Sequence, residues 1–246
     1  MQKHTYFLSD MHLGLPLYNP AEREKKVVRF LDSVKNTAGD IYLLGDVFDF
    51  WWEYKYVVPK GYVRFLGKLA ELTDSGVNIH FFVGNHDLWI KNYLAYECSV
   101  KIYHKPEEIT IGNKIFFLAH GDRLGNGIEV KPTMLQRVFA NRFLQWLYST
   151  IHPRWGLAFG YTWSKHSRLS KEVSTPWRGK DELLFRLATK MAERSKVDYF
   201  IFGHRHTPVQ MDLPNRAKLL ILSDWITGCT YAEFDGNNIE LKEFKG

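Results

Sequence analysis

Five short clusters of polar residues, each at or one residue beyond the end of a run of apolar residues, most constrain how this 246-residue chain can fold. They are Asp10-Met11-His12, Gly45-Asp46-Val47-Phe48-Asp49, Gly84-Asn85-His86-Asp87, His120-Gly121-Asp122 and Gly203-His204-Arg205-His206. Continuous apolar runs with helical patterns between them are typical of a sheet that helices cover on both faces. In such α/β sheets, ligands bind beyond the carboxyl ends of the strands. The pattern therefore predicts an α/β fold whose five polar clusters share one rim.

The same patterns divide the chain into two parts. From about residue 133 to 197 the strand signals stop, and apolar residues follow helical spacing instead. Strand signals return at residue 199 and finish in a hairpin whose turn is Asp235-Gly236-Asn237-Asn238. We predict a core formed by residues 1–122 and 198–246, interrupted by a helical insertion over residues 123–197.

Composition limits the class of protein and its compartment. The two cysteines, Cys98 and Cys229, are too few for a disulfide framework or a cysteine-rich zinc module, and they fit a reducing compartment. We expect no secretory signal peptide and no transmembrane helix, since no apolar run reaches about 18 residues. The predicted localisation is cytoplasmic.

The positive charge is concentrated in the insertion. The chain carries 33 Lys and Arg against 27 Asp and Glu, a net charge of +6. Between residues 123 and 197 there are 14 basic and 5 acidic residues, so this segment supplies all of the excess. Such a patch attracts phosphates of nucleic acid, lipid or a small substrate, although a solvated helical face has the same composition.

The side chains of the five clusters are typical ligands for divalent metals. Aspartate, histidine and asparagine without thiolate suit borderline-hard ions such as Mn²⁺, Fe²⁺ or Zn²⁺. Any single cluster could be a turn, a helix cap or a pair of ordinary histidines. Together they offer too many ligands for one ion, which predicts two ions that share a bridging carboxylate. Such a pair lowers the pKa of bound water and stabilises the oxygens of a phosphoryl displacement.

These motifs in this order resemble the calcineurin-like metallophosphoesterase superfamily. The resemblance implies a four-layer αββα sandwich. It implies a first metal held by Asp10, His12, Asp46 and His206, and a second held by Asp46, Asn85, His120 and His204. It also implies that His86 acts beside the scissile phosphate as an acid or charge stabiliser, oriented by Asp87. The residues agree with this role, because His86 is left over from the ligand set and imidazole is a common proton donor.

Three further features resemble the UDP-2,3-diacylglucosamine pyrophosphatases of lipid A biosynthesis. These are the His120-Gly121-Asp122 motif, the position of the insertion, which forms a helical lid in that family, and the segment from Leu222 to Tyr231. The resemblance implies hydrolysis of UDP-2,3-diacylglucosamine to UMP and 2,3-diacylglucosamine 1-phosphate, by metal-activated hydroxide attack on the α-phosphorus. It implies two Mn²⁺ ions and peripheral association with the cytoplasmic face of the inner membrane through the lid.

The resemblance also implies substrate contacts. Ser164, Arg168 and Lys171 match the spacing of a substrate-binding patch in that family, with Arg168 in place of Asn. Asn85, His86 and His204 are expected to contact the substrate as well. The aromatic residues between Phe139 and Trp163 could line a slot for acyl chains, or they could be the core of the insertion. Relatives known to carry Arg after the metal-binding Asn differ from this chain, which has His86.

Other functions fit parts of the pattern. The nearest alternative is a dinuclear metallophosphoesterase that hydrolyses a soluble phosphodiester or nucleotide. A nuclease would explain the basic insertion, but the basic residues there are interleaved with large apolar ones, so nucleic acid is not the expected partner. No obligate protein partner is evident, and a non-catalytic scaffold is disfavoured because His86 and every ligand are present.

Overall fold

The computed structural model describes residues 3–125, 128–129, 134–169 and 177–246. The strands are β1 (His4–Leu8), β2 (Ala38–Leu44), β3 (Asn78–Phe82), β4 (Lys101–Tyr103), β5 (Glu107–Ile111), β6 (Lys114–Ala119), β7 (Leu124–Gly125), β8 (Ile128–Glu129), β9 (Tyr199–Phe202), β10 (Val209–Asp212), β11 (Lys218–Ile221), β12 (Thr230–Phe234) and β13 (Ile239–Glu243). The helices are α1 (Pro20–Val34), α2 (Val63–Asp74), α3 (Tyr93–Cys98), α4 (Met134–Ala140), α5 (Arg142–Ser149), α6 (Pro153–Leu169) and α7 (Leu183–Ala192).

Eleven of these strands form two sheets. The first has the order β13-β12-β1-β2-β3-β4 and the second β10-β11-β9-β6-β5, while β7 and β8 form a separate hairpin. Strands β1 to β4 pair in parallel, as do β6, β9 and β11, and antiparallel strands close the remaining edges. The last two strands form the predicted hairpin. The parallel strands bring their carboxyl ends to one rim.

The two sheets pack face to face between outer helices. The rings of Phe7 on β1 and Phe116 on β6 stack at 5.5 Å between their centroids, within a core that joins both sheets. The neighbours of Phe7, Tyr6 and Leu8, point the other way and pack under α1 and α2. This αββα sandwich confirms the predicted α/β class. From the apolar runs alone we expected one sheet with helices on both faces, and this was wrong. A buried strand has the same apolar sequence pattern whether a helix or a second sheet covers it.

Helix α1 illustrates how local sequence forms the outer layer. Pro20 stands at its first turn, and the side chain of Asn19 accepts a hydrogen bond from the amide of Glu22. Both features are common at helix starts. The buried positions Val27, Phe30, Leu31 and Val34 repeat every three or four residues, so one stripe of the helix faces the sheet.

Helices α4, α5 and α6 form a lid over the rim, and two glycines seat its longest helix. A Cβ on Gly160 would lie 2.1 Å from Cζ of Phe50, and one on Gly156 would lie almost on the hydroxyl of Tyr54. The core loop and α6 therefore approach more closely than any larger residue allows. Helix α7 lies within the range predicted as the insertion, yet Leu184, Leu187 and other residues of its buried face pack on the second sheet.

Over the part of the chain that the structure describes, no helix is long and apolar enough to cross a bilayer.

Candidate metal centre and active site

The rim gathers histidines and carboxylates into three overlapping groups. Within each group, the potential ligand atoms lie within 4.8 Å of one another. The first group is Asp10, His12 and His206, and the second is Asp46, His120 and His204. The third, which overlaps both, is His12, Asp46 and His86. The amide oxygen of Asn85 lies 3.2 Å from Nε2 of His120. All seven predicted metal ligands therefore meet at one place, at the ends of β1, β2, β3, β6 and β9.

Unusual backbone conformations direct these side chains toward one another. Positive φ angles occur at Asp10 (53°), His12 (46°), Asp46 (51°), His204 (67°) and His206 (51°). Residues other than glycine rarely adopt this region, and such positions cluster at functional sites.

Neighbouring glycines make room for this crowding. A Cβ on Gly84 would lie 2.3 Å from Oδ1 of Asp46, and one on Gly203 would lie 2.5 Å from Oδ2 of Asp10. The glycine that precedes a ligand in each of these two motifs is therefore required by packing, since no side chain fits there.

The first group has the chemistry of a cation site. Nε2 of His12 lies 3.3 Å from Nε2 of His206, and Oδ1 of Asp10 lies 3.2 Å from the same His206 nitrogen. This Oδ1 is buried yet has no hydrogen bond of good geometry. A buried carboxylate oxygen without a hydrogen bond and two ring nitrogens facing each other fit a bound divalent ion between them.

The protonation of this group reflects its crowding. Burial alone would raise the pKa of Asp10, but the close His12 and His206 rings outweigh it and hold the pKa well below its usual range. Burial opposes protonation of His206, but the adjacent carboxylates of Asp10 and Asp224 raise its pKa to about 10. Without a metal, a proton on His206 balances the carboxylates.

The second group surrounds the carboxylate of Asp46. Oδ2 of Asp46 lies 3.4 Å from Nε2 of His120, whose Nδ1 donates to the carbonyl of Leu44 at 2.9 Å. A ligating histidine is commonly fixed through its other nitrogen in this way. Burial would lower the pKa of His120, but the charge of Asp46 raises it well above its usual value. Burial and the positive charge of His120 lower the pKa of His204 to about 4.

His86 stands beside both groups but is held by other contacts. Its Nδ1 lies 3.0 Å from the carbonyl oxygen of Asp49 and 3.2 Å from the hydroxyl of Ser164, on lid helix α6. Its backbone amide donates to Oδ1 of Asp46 at 2.8 Å. The imidazole therefore lies at the junction of the candidate metal ligands and the lid.

The carboxylate of Asp87 is used by the backbone of two loops. It accepts hydrogen bonds from the amides of Gly84 (2.7 Å) and Val47 (2.8 Å), and more weakly from Phe48. Burial and the charge of Asp46 raise its pKa to about 7. These contacts hold the loop that bears Asn85 against the loop that bears Asp46. That Asp87 also orients His86 stays a prediction.

Of the three residues predicted in the substrate patch, Ser164 lies in the site. Lys171 and the side chain of Arg168 lie outside the described residues. Their role in substrate binding stays a prediction.

Three supporting residues were not predicted. Oδ2 of Asp224 lies 3.4 Å from Nδ1 of His206, while its Oδ1 accepts the amides of the following turn. Oδ1 of Asp49 lies 3.7 Å from Nδ1 of His12, and buried Arg23 donates to the carbonyl of His12 at 2.7 Å. The first two occur in motifs noted in the sequence, but spacing does not reveal which histidine a carboxylate meets. Nothing in the sequence marks Arg23.

An apolar cavity of about 170 Å³ lies between the lid and the core loops. Its walls come from both parts and are Phe50, Trp52, Trp89, Val138, Phe139, Leu144, Gln145, Tyr148, Phe159, Gly160 and Trp163. Phe50 follows Asp49, and Trp163 precedes Ser164, so the cavity adjoins the residues around His86. A ligand that reaches from the rim into this cavity would carry an apolar portion.

A two-sheet sandwich with histidine and carboxylate groups at one rim is the arrangement expected of a metallophosphoesterase. The sequence profile of the calcineurin-like phosphoesterase family matches residues 3–208. The chain belongs to this family, which confirms the resemblance, and it is a hydrolytic enzyme. The family and the three groups together indicate divalent-metal binding at the rim.

Two curated relatives cover the chain almost completely. The UDP-2,3-diacylglucosamine hydrolase of Porphyromonas gingivalis is 38% identical over 100% of this chain and 99% of its own length. The UDP-2,3-diacylglucosamine hydrolase of Photobacterium profundum is 29% identical over 98% of this chain and 97% of its own length. A solved phosphoesterase from E. coli matches with a TM-score of 0.48 and 14% identity, over 98% of this chain and 92% of that one.

Proposed function

We propose that this enzyme hydrolyses the pyrophosphate bond of UDP-2,3-diacylglucosamine, giving UMP and 2,3-diacylglucosamine 1-phosphate for lipid A biosynthesis. The observation that carries the proposal is the apolar cavity beside the metal-binding rim. A substrate with a phosphate at the rim and an acyl chain under the lid would match both surfaces. The names of the relatives support the same substrate.

Two divalent ions would occupy the rim, and we propose that both are Mn²⁺. Asp10, His12, Asp46 and His206 would hold one, and Asp46, Asn85, His120 and His204 the other. When bound, such ions lower the pKa of water and neutralise charge on a phosphate. The fit rests on the chemistry of the donor set, which consists of imidazoles, carboxylates and an amide.

His86 would meet the phosphate as a charge stabiliser or proton donor. Its Nδ1 is engaged by Asp49 and Ser164, so Nε2 is the nitrogen left for a substrate. Asn85 and His204 would contribute further contacts from the ligand set. Relatives with Arg at this position would supply a fixed positive charge, whereas an imidazole can also transfer a proton.

The lid, which we propose to be the insertion over residues 123–197, would place the enzyme on the cytoplasmic face of the inner membrane as a peripheral protein. The side chains of Trp146 and Trp155 are 61% and 66% exposed, and Phe143 and Phe159 are exposed nearby. Large exposed aromatic patches mark interaction surfaces, and aromatic rings favour the headgroup region. The basic residues of the segment would attract anionic lipid.

Product analysis tests the reaction. Purified enzyme with Mn²⁺ and UDP-2,3-diacylglucosamine in detergent should release UMP, and the variant Asp46→Asn should not. UDP-glucosamine without acyl chains is the matched control substrate and should be cleaved far less efficiently, because each buried methylene contributes about 0.8 kcal/mol. Cleavage of a simple aryl phosphodiester without UMP release would refute the lipid substrate and favour a soluble one.

Sedimentation with anionic vesicles tests the membrane surface. Replacing Trp146 and Trp155 together by serine should abolish co-sedimentation. Tyr96→Ser is the control, because Tyr96 is 79% exposed on α3, outside the lid. Equal vesicle binding by both variants would refute the assignment of this surface.

A further inference from the structure

The hydroxyl of Ser164 joins the lid to the reactive rim. Ser164 lies on α6 and is only 4% exposed, against Asp49, which is 2% exposed. Its Oγ lies 2.7 Å from Oδ2 of Asp49 and 2.9 Å from the carbonyl oxygen of the same residue. It also lies 3.2 Å from Nδ1 of His86.

Hydrogen-bond chemistry sets a direction for this arrangement. A hydroxyl has one hydrogen to donate, and both oxygens of Asp49 can only accept, so Ser164 donates to Asp49. Its lone pairs are then directed to accept from His86, and the carbonyl of Asp49 accepts from the same Nδ1 at 3.0 Å. Two acceptors around Nδ1 keep the proton on that nitrogen and fix the plane of the ring.

We propose that Ser164 is a positioning residue that couples the seating of the lid to the orientation of His86, rather than a direct substrate contact. The inference rests on the proposed function of this rim in phosphate hydrolysis. It differs from the role implied by resemblance, in which Ser164 contacts the sugar and phosphates. When α6 is seated on the core, Ser164 completes the acceptor pair around Nδ1, and Nε2 is presented to the phosphate.

Kinetics with two substrates separates the two roles. UDP-2,3-diacylglucosamine contacts the lid, whereas bis(p-nitrophenyl) phosphate is a small diester that has no acyl chain to place there. Ser164→Ala should lower kcat for both substrates by about tenfold or more, since a well-positioned acid contributes about 10²–10⁴-fold. KM for the small diester should change little.

Two variants serve as controls. Ser164→Thr keeps the hydroxyl and should restore most of the lost kcat. Thr162→Ala lies on the same helix and removes a hydroxyl that donates to the carbonyl of Ala158 on that helix, so it should behave as wild type. A Ser164→Ala variant that raises KM for the lipid alone, with the small diester unaffected, would overturn the proposal and establish a substrate contact.

Nitrogen NMR of the His86 ring gives a readout that does not depend on turnover. In metal-free protein at one fixed pH, the wild type and Thr162→Ala should show the Nδ1-protonated tautomer. Ser164→Ala should shift the Nδ1 resonance or mix the tautomers. Identical ring spectra in all three proteins would refute the coupling. If the wild type cleaves the small diester but releases no UMP, the lipid proposal fails while this test still decides the role of Ser164.

Discussion

Substituting Gly160 by alanine should destabilise the protein, although alanine is the better helix former. In an exposed helix this change stabilises by about 1 kcal/mol. Here the new Cβ would lie 2.1, 2.4 and 2.5 Å from three atoms of the Phe50 ring, so helix and ring must separate by about 1.5 Å to reach ordinary contact. Phe50 is buried and packed against Trp89 and Tyr161, so its ring can move aside only into the apolar cavity that it lines, at the expense of these contacts.

The magnitude follows from the balance of these two effects. Overpacking costs about 1–3 kcal/mol, which exceeds the helix-propensity gain by about 1 kcal/mol. For a chain of this size, that lowers Tm by about 2–4 °C. Thermal unfolding followed by circular dichroism in the metal-free state measures it.

Gly67→Ala is the matched control, because Gly67 lies on α2 and a Cβ there would meet nothing within 4 Å. That variant should raise Tm. If Gly160→Ala raised Tm equally, α6 would not be seated on Phe50 as described.

Three further outcomes are expected. Asp224→Asn keeps the oxygen that accepts the turn amides but loses the oxygen that faces His206. Titration calorimetry should therefore show metal affinity reduced about 10–100-fold. Unchanged affinity would contradict the role of Asp224 in orienting His206. In metal-free protein His206 has a pKa of about 10, because Asp10 and Asp224 raise it from its ordinary value against the effect of burial. Its ion pairs therefore stabilise the folded state fully below about pH 6.5, and this stabilisation is lost as the pH rises through about 10. A metal bound by the first group must displace this proton, so apparent affinity at that group should rise about tenfold per pH unit below pH 10, and a flat profile would refute it. Asp87→Ala leaves the buried amides of Gly84 and Val47 without an acceptor and should lower the free energy of unfolding by about 3 kcal/mol in denaturant titration. Asp87→Asn should lower it less. Equal stability of Asp87→Ala and wild type would contradict the role of Asp87 in holding the two loops together.

The candidate ligands could be predicted because each occupies a position with a simple rule. Asp10, Asp46 and His120 closely follow buried parallel strands, and the carboxyl ends of such strands meet at one rim. Sequence spacing is enough for this, since strand direction fixes where the next residue lies. The two-sheet layering could be predicted only from the resemblance to a known family. The sequence shows that Phe7 is buried, but not whether a helix or the ring of Phe116 covers it.

The supporting contacts could not be predicted, because they join segments distant in sequence through side-chain direction. Ser164 meets Asp49 only because α6 approaches the core loop at Gly160. Asp224 meets His206 only because the chain turns back after β11. Neither the spacing of residues nor their periodicity predicts such contacts, because the contacts depend on how closely two packed elements approach each other.

The position of the insertion between two neighbouring strands has a consequence for how this family can diversify. Ala119 at the end of β6 pairs with Phe202 at the end of β9, and the amide of Gly203 donates to the carbonyl of His120 at 3.0 Å. The chain thus leaves and re-enters the sheet at adjacent points. Helices α4, α5 and α6 can therefore change in evolution without altering the strand register or the candidate metal ligands, while the enzyme acquires a different molecule to cleave.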